Sequence, residues 1–204
     1  ANEAGAPEHW LQFSFPQEQS FAFVSLYWER LNVLGFLDLS AYGGEYRYSA
    51  NAGMADIIEA LRWIKRNIEA FGGDPQNVTV FGQSGGGGKV AALLQMPSAA
   101  GLFHRAVIQS GIIRAHSGNE EAQDMAELLL NKLGITPERI REIEEVPYYR
   151  FQQIISAMGP HAFMNFGPKR DDDLYMGSIF ETGICEHAKK VPVIVGNVLG
   201  EFSQ

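Results

Sequence analysis

Phe81-Gly82-Gln83-Ser84-Gly85-Gly86-Gly87-Gly88 is the stretch on which the reading of this chain turns. A short β-branched run, Asn77-Val78-Thr79-Val80, leads into it, and an apolar helical pattern, Val90 to Met96, leads out. A strand, a Gly-x-Ser-x-Gly turn and a helix in that order form a nucleophile elbow. The spacing has a chemical reason. Ser84 has to sit on a strained turn with its hydroxyl held clear above a sheet. Gly82 and Gly86 stand two residues to either side, where a Cβ is expected to collide with the neighbouring strand or helix. The backbone N–H of Gly85 is then aimed at an oxygen that becomes negative during acyl transfer. The alternative is a glycine-rich loop that happens to hold a serine; the strand and the helix on either side weigh against it.

The 204 residues make one large domain or two small ones, with ample chain for a buried core. Hydrophobic content of 46% and charged content of 20% are those of an ordinary globular protein. A net charge of -8 sets the chain against nucleic acid and anionic membranes as partners, because both repel it. The single Cys185 has no partner for an internal disulfide and supplies no cysteine-based metal site. It fits a reducing, cytoplasmic compartment. No apolar run is long enough to span a bilayer, and the first residues lack the basic segment of a signal peptide.

Along the chain, Phe21 to Trp28 reads as a buried strand, and Leu31 to Leu39 as an apolar segment broken by Gly35. Ala41 to Ser49 reads as a loop. Met54, Ile57, Ile58, Leu61, Ile64, Ile68 and Phe71 recur at helical spacing, with Glu59, Arg62, Lys65, Arg66 and Glu69 on the other face. Gly72-Gly73 ends that helix, and Asp74 to Asn77 turns into the elbow strand. Pro97 to Gly101 is a loop, and Ala106-Val107-Ile108 another strand closed by Ser110-Gly111. Residues 120–157 are mostly helical, interrupted by Gly134, Thr136-Pro137 and Pro147. A short helix is expected over Glu181 to Lys190 and a final buried strand over Val191 to Val195.

Strands alternating with helices predict an α/β fold, a mostly parallel sheet flanked by helices. With the elbow, this is the α/β-hydrolase fold. Residues 119–160 read as a helical excursion over the sheet, where a lid or pocket wall would sit.

A serine nucleophile needs a base and an acid that orients the base, in the chain order serine, acid, histidine for this fold. Glu201 follows the last predicted strand, where catalytic groups project from strand ends; a solvated surface glutamate is the competing reading. No histidine follows it. His9, His104, His116, His161 and His187 all lie upstream, and none is assigned as catalytic. Nucleotide motifs fail. Val90 stands after Gly88-Lys89 where a P-loop needs Ser or Thr, and Ser84 occupies the second glycine of a dinucleotide fingerprint. Asp171-Asp172-Asp173 could bind a hard cation, but beside Lys169 and Arg170 it reads better as a solvated loop. Gly85 to Gly88 cost on the order of 1 kcal/mol each inside a helix, which points to excluded bulk near an acyl pocket or to a frayed helix start.

Together these residues resemble the type-B carboxylesterase family, which includes para-nitrobenzyl esterases and cholinesterases. The likeness rests on Leu31 to Phe36, on Asn51-Ala52-Gly53 with Asp56, and on Ala60 to Ile64. It continues through Ala70-Phe71-Gly72-Gly73-Asp74-Pro75 to the Ser84 elbow, through Gly101-Leu102-Phe103-His104 and Gln109-Ser110-Gly111, and to Val191-Pro192-Val193 before Glu201. It runs from Val24 to Glu201 and leaves residues 1–23 unmatched. The resemblance implies a carboxylic ester hydrolase working on small-molecule esters without cofactor or metal. Ser84 would be the nucleophile, Glu201 the acid and Gly85 an oxyanion donor. Two departures are expected to matter: no His-Gly-Gly-Gly-type segment lies upstream, and the catalytic histidine is expected beyond residue 204. Residues 1–204 therefore read as a single partial domain, incomplete at both ends. The contrasting readings are a non-catalytic cholinesterase-like interaction module and an inactive truncated product.

Overall fold

The structure is a computed structural model that describes residues 30–111, 120–159 and 166–201. The strand expected over Phe21 to Trp28 lies outside the described residues. A short helix, α1 (Asn32–Phe36), occupies the apolar segment that follows. Gly35 does not break it. A Cβ there would overlap the Arg30 carbonyl, so glycine allows the chain to fold back on itself.

The long periodic segment forms α2 (Ala52–Asn67), which buries Met54, Ile57, Ile58, Leu61 and Ile64. Lys65 and Arg66 sit in its last turn, where cations complement the helix dipole. A 3₁₀ turn, Ile68–Phe71, continues it until Gly72 takes a left-handed φ of 78° and Gly73 N–H caps the Ile68 carbonyl at 3.0 Å. The Asp74 carboxylate then accepts from Gln76 N–H at 2.8 Å and turns the chain toward the sheet.

Three strands, β1 (Thr79–Gln83), β2 (Arg105–Gln109) and β3 (Val193–Gly196), form a parallel sheet in the order β1-β2-β3. Helix α3 (Gly85–Leu93) makes the crossover from β1 to β2. Register aligns Val80 with Ala106 and Val193, and Gly82 with Ile108 and Val195. These residues share one face, since side chains alternate along a strand. On it, Ala106 and Ile108 join Met54, Ile58, Leu61, Val90, Leu93 and Met96 in the main core. The other face carries Phe81, Val107 and Ile194 in register. Phe81 and Ile194 are 63% and 68% exposed. The final strand is therefore shorter than expected and not buried: it ends the described sheet, and all four of its residues are exposed.

Between β2 and β3 come α4 (Glu120–Leu133), a 3₁₀ segment (Pro137–Glu145) and α5 (Tyr148–Ala157). The segment after Thr136-Pro137 does not form an α-helix; Arg139, at φ -116°, kinks it. Their apolar faces close on one another and on Val33, Leu37 and Leu39 in a second core that, among the described residues, contains no strand residue. Arg141 pairs with Glu45 at 2.6 Å, and the Tyr46 hydroxyl donates to Glu144 at 2.6 Å. Both are exposed contacts that add little to stability.

The single helix expected over Glu181 to Lys190 is two pieces, α6 (Ile179–Thr182) and a 3₁₀ turn, Ala188–Lys190. Gly183 separates them with φ 74°. The start of α6 is a capping box, Ser178 and Glu181 bonding reciprocally. Buried Gln95, at the end of α3, holds the break in place. Its amide donates to Gly183 O at 2.7 Å and Thr182 Oγ1 at 3.2 Å, and its carbonyl accepts from Cys185 N–H at 3.2 Å.

Candidate active site

Ser84 sits between the last residue of β1 and the first of α3, at φ 53° and ψ -120°. A non-glycine residue at positive φ costs on the order of 1–3 kcal/mol and persists only where its surroundings dictate it. Here they do. Ser84 N–H donates to the Gln109 carbonyl at 2.9 Å, tying the turn to β2, and the Ser84 carbonyl accepts from Gly88 N–H at 3.0 Å as the first bond of α3. The N–H groups of Gly85, Gly86 and Gly87 precede that bond and belong to the helix's unsatisfied first turn. With the helix dipole behind them, such groups favour a negative oxygen. Half-buried Ser84, at the C-terminal edge of a parallel sheet, thus immediately precedes these oriented donors.

The glycines divide differently from the expectation. Gly82 is required: a Cβ there would overlap the carbonyl group of Gly86. Gly86 is not, because a Cβ on it meets nothing within 4 Å, and the same holds for Gly85. What packs closely is the Gly86 backbone, not its missing side chain. Bulk is instead excluded at Gly87, whose Cβ would lie 2.7 Å from Gly111 Cα and 3.0 Å from Gly82 O. The glycine run therefore lets α3 sit down on the two strands, and at Gly87 it is helix seating, not an acyl pocket, that forbids a side chain.

The next strand repeats the device. Gln109-Ser110-Gly111 leaves β2 as Gln83-Ser84-Gly85 leaves β1, and Gln83 and Gln109 are register partners. Ser110 also has positive φ, 47°, and its N–H donates to Gly196 O on β3 at 2.7 Å. Its side chain stands close to the Glu201 carboxyl. Glu201 lies in the turn after β3, and its Oε1 accepts from Val198 N–H at 3.2 Å. The Ser110 hydroxyl, followed by that backbone donor, holds the exposed carboxyl below its usual range. Ser84, Ser110 and Glu201 therefore all stand at the C-terminal edge of the sheet. Ser110 escaped the sequence reading as a site residue; the repeated Gln-Ser-Gly after two adjacent strands was the available signal.

The described histidines are engaged elsewhere. His104 precedes β2, at the opposite edge of the sheet, where its Nδ1 accepts from Val78 N–H at 3.3 Å. His187 meets the Leu93 carbonyl at 3.5 Å, at the far end of α3 from Ser84. His9, His116 and His161 lie outside the described residues. No group of three potential ligands is placed to hold a metal among the described residues. The aspartate run is more ordered than a solvated loop. Asp171 Oδ1 accepts from the N–H groups of Asp173, Leu174 and Tyr175, and its Oδ2 accepts from buried Asn51.

The sequence pattern that defines the carboxylesterase family matches residues 17–204. This chain belongs to that family. Among related carboxylesterase-family proteins, it is 45% identical to the para-nitrobenzyl esterase of Bacillus subtilis over 117 residues, 57% of this chain and 23% of that one. Its fold superposes on the Geobacillus stearothermophilus carboxylesterase EST55 with a TM-score of 0.77 at 36% identity, covering 85% of this chain and 36% of that one. An esterase of Clostridium hathewayi, described as able to hydrolyse aliphatic aromatic polyesters, matches with a TM-score of 0.74 at 46% identity, covering 86% and 36%. The chain thus spans about a quarter of the curated relative's length and about a third of each solved structure's. Its α/β-hydrolase fold is the one those carboxylesterases share.

Proposed function

We propose that the protein is a serine carboxylic ester hydrolase that turns over small-molecule esters through an acyl-enzyme. The observation that carries this reading is Ser84, held at φ 53° on the strand-to-helix turn beside the first N–H groups of α3. The Ser84 hydroxyl gives its proton to a base while Oγ bonds to the ester carbonyl carbon. The carbonyl oxygen becomes an oxyanion that accepts from Gly85 N–H. As the tetrahedral intermediate collapses, the C–O bond to the alcohol breaks, and the base returns its proton to the leaving oxygen. Water then attacks the acyl-Ser84 ester by the same steps, releasing the acid and restoring the serine.

Glu201 is the acid in this reading, orienting the base and stabilising its charged form; its place after β3, accepting from Val198 N–H at 3.2 Å, supports that role. The base this reading needs is a histidine other than His104 and His187, which are bonded at positions remote from Ser84. Pre-steady-state hydrolysis of a short para-nitrophenyl ester by the full-length protein tests the reading. A burst equal to the concentration of protein, with the acyl group recovered on the Ser84 peptide, supports it. Steady turnover that persists in Ser84→Ala overturns it.

A further inference from the structure

The close approach of Gly87 and Gly111 has no part in the steps above, yet it lies directly beneath them. Helix α3 enters between two strands. On the β1 side, Gly82 admits the Gly86 backbone. On the β2 side, the space a Gly87 side chain would need is filled by three backbone atoms: Gly111 Cα, Gly82 O and Gln109 O, at 2.7, 3.0 and 3.2 Å. Seen from the other partner, a Cβ on Gly111 would stand 3.0 Å from the Gly87 carbonyl carbon and 3.2 Å from its Cα, and would overlap Ile108 Cγ2. Backbone cannot swing aside as a flexible side chain can. A methyl at Gly87 falls roughly 0.7 Å short of the 3.4 Å where ordinary contact begins, so the helix has to rise from the sheet.

Resting on the reading of Ser84 as nucleophile, we propose that Gly111 is a positioning residue for the elbow. It sets the depth at which the first turn of α3 seats on β2, and so aims the Gly85 N–H. The placement of Gly111 is itself enforced. Ser110, at φ 47°, turns the chain out of β2, and its N–H is fixed to Gly196 O at 2.7 Å, so Gly111 cannot retreat without straining that bond. The Gln109 carbonyl, one residue earlier, is the acceptor for Ser84 N–H at 2.9 Å. One tripeptide therefore holds the nucleophile's backbone and the seat of the donor helix. Lifting the helix changes the hydrogen bond to the oxyanion far more than it changes ester binding, so the loss falls on the transition state.

The experiment compares Gly111→Ala, Gly87→Ala and Ile108→Val in the full-length protein, using para-nitrophenyl acetate and counting active sites by probe titration. Misplacements approaching 1 Å cost up to about 100-fold, so both alanine variants should lose at least about 10-fold in kcat per site with KM within about threefold. Ile108→Val keeps the Cγ2 that touches Gly111; it should lower Tm while leaving kcat per site within about twofold. Folded Gly111→Ala with wild-type kcat per site overturns the proposal. So does failure of both alanine variants to fold in the cold, which makes the contact a general requirement of folding. Absence of turnover in the parent protein is a different failure and strikes the reading of Ser84 itself.

Discussion

At the scale of single residues, two serines at positive φ and three tightly packed glycines define the site. Gly82→Ala and Gly86→Ala should separate cleanly although both belong to one Gly-x-Ser-x-Gly motif. The first drives a methyl into the Gly86 carbonyl and should destabilise by roughly 3 kcal/mol or more, at the upper end of overpacking costs. The second adds a methyl in open space on a helix and should stabilise by about 0.5–1 kcal/mol, both read from urea melts. Ser110 makes a pH prediction. Glu201 has its pKa lowered from 4.5 by the Ser110 hydroxyl first and Val198 N–H second. A depressed carboxyl contributes stability that is present above the unfolded value and is lost as pH falls through the lower folded value. Ser110→Ala should therefore move the Glu201 titration midpoint up toward 4.5, measured by carboxyl ¹³C NMR. An unmoved midpoint would show that the backbone donor alone sets it.

Among the elements, those marked by strong local chemistry were legible in the sequence. Helix α2 appeared through its period and its glycine stop, β1 and β2 through β-branched runs, and the elbow through its motif. Other features depended on partners distant in the chain. The break at Gly183 is held by Gln95, 88 residues upstream, and no local pattern announces that bond. The exposure of β3 depends on its place at the end of the sheet, whereas Val191 to Val195 is as apolar as any buried strand. Ser110 looked like a strand terminator until the fold set it beside Glu201. Gln95, only 1% exposed, gives this scale its test. Gln95→Leu keeps the volume but leaves Cys185 N–H and Gly183 O without their partner, so it should cost about 2–4 kcal/mol in the urea midpoint at unchanged m-value. A loss below about 0.5 kcal/mol would mean that water reaches the pair and replaces the amide.

For the molecule as a whole, the sheet has two unlike faces. One is packed beneath α2 and α3, and the other presents Phe81, Val107 and Ile194 in one row beside the edge of β3, which no strand pairs among the described residues. Exposed apolar rows next to strand edges invite pairing between copies. Residues 1–204 expressed alone should self-associate with rising concentration, and Ile194→Lys should shift them toward monomer in light scattering. Under the proposed function, the strained turn at Ser84 makes that serine the nucleophile toward acyl and phosphonyl groups. The most direct test of that role is covalent labelling of the full-length protein with a fluorophosphonate, followed by peptide mapping and comparison with Ser84→Ala. The account predicts one adduct per chain, on the Ser84 peptide, and none in the variant. A folded protein that stays unlabelled, or an adduct that survives Ser84→Ala, would contradict it.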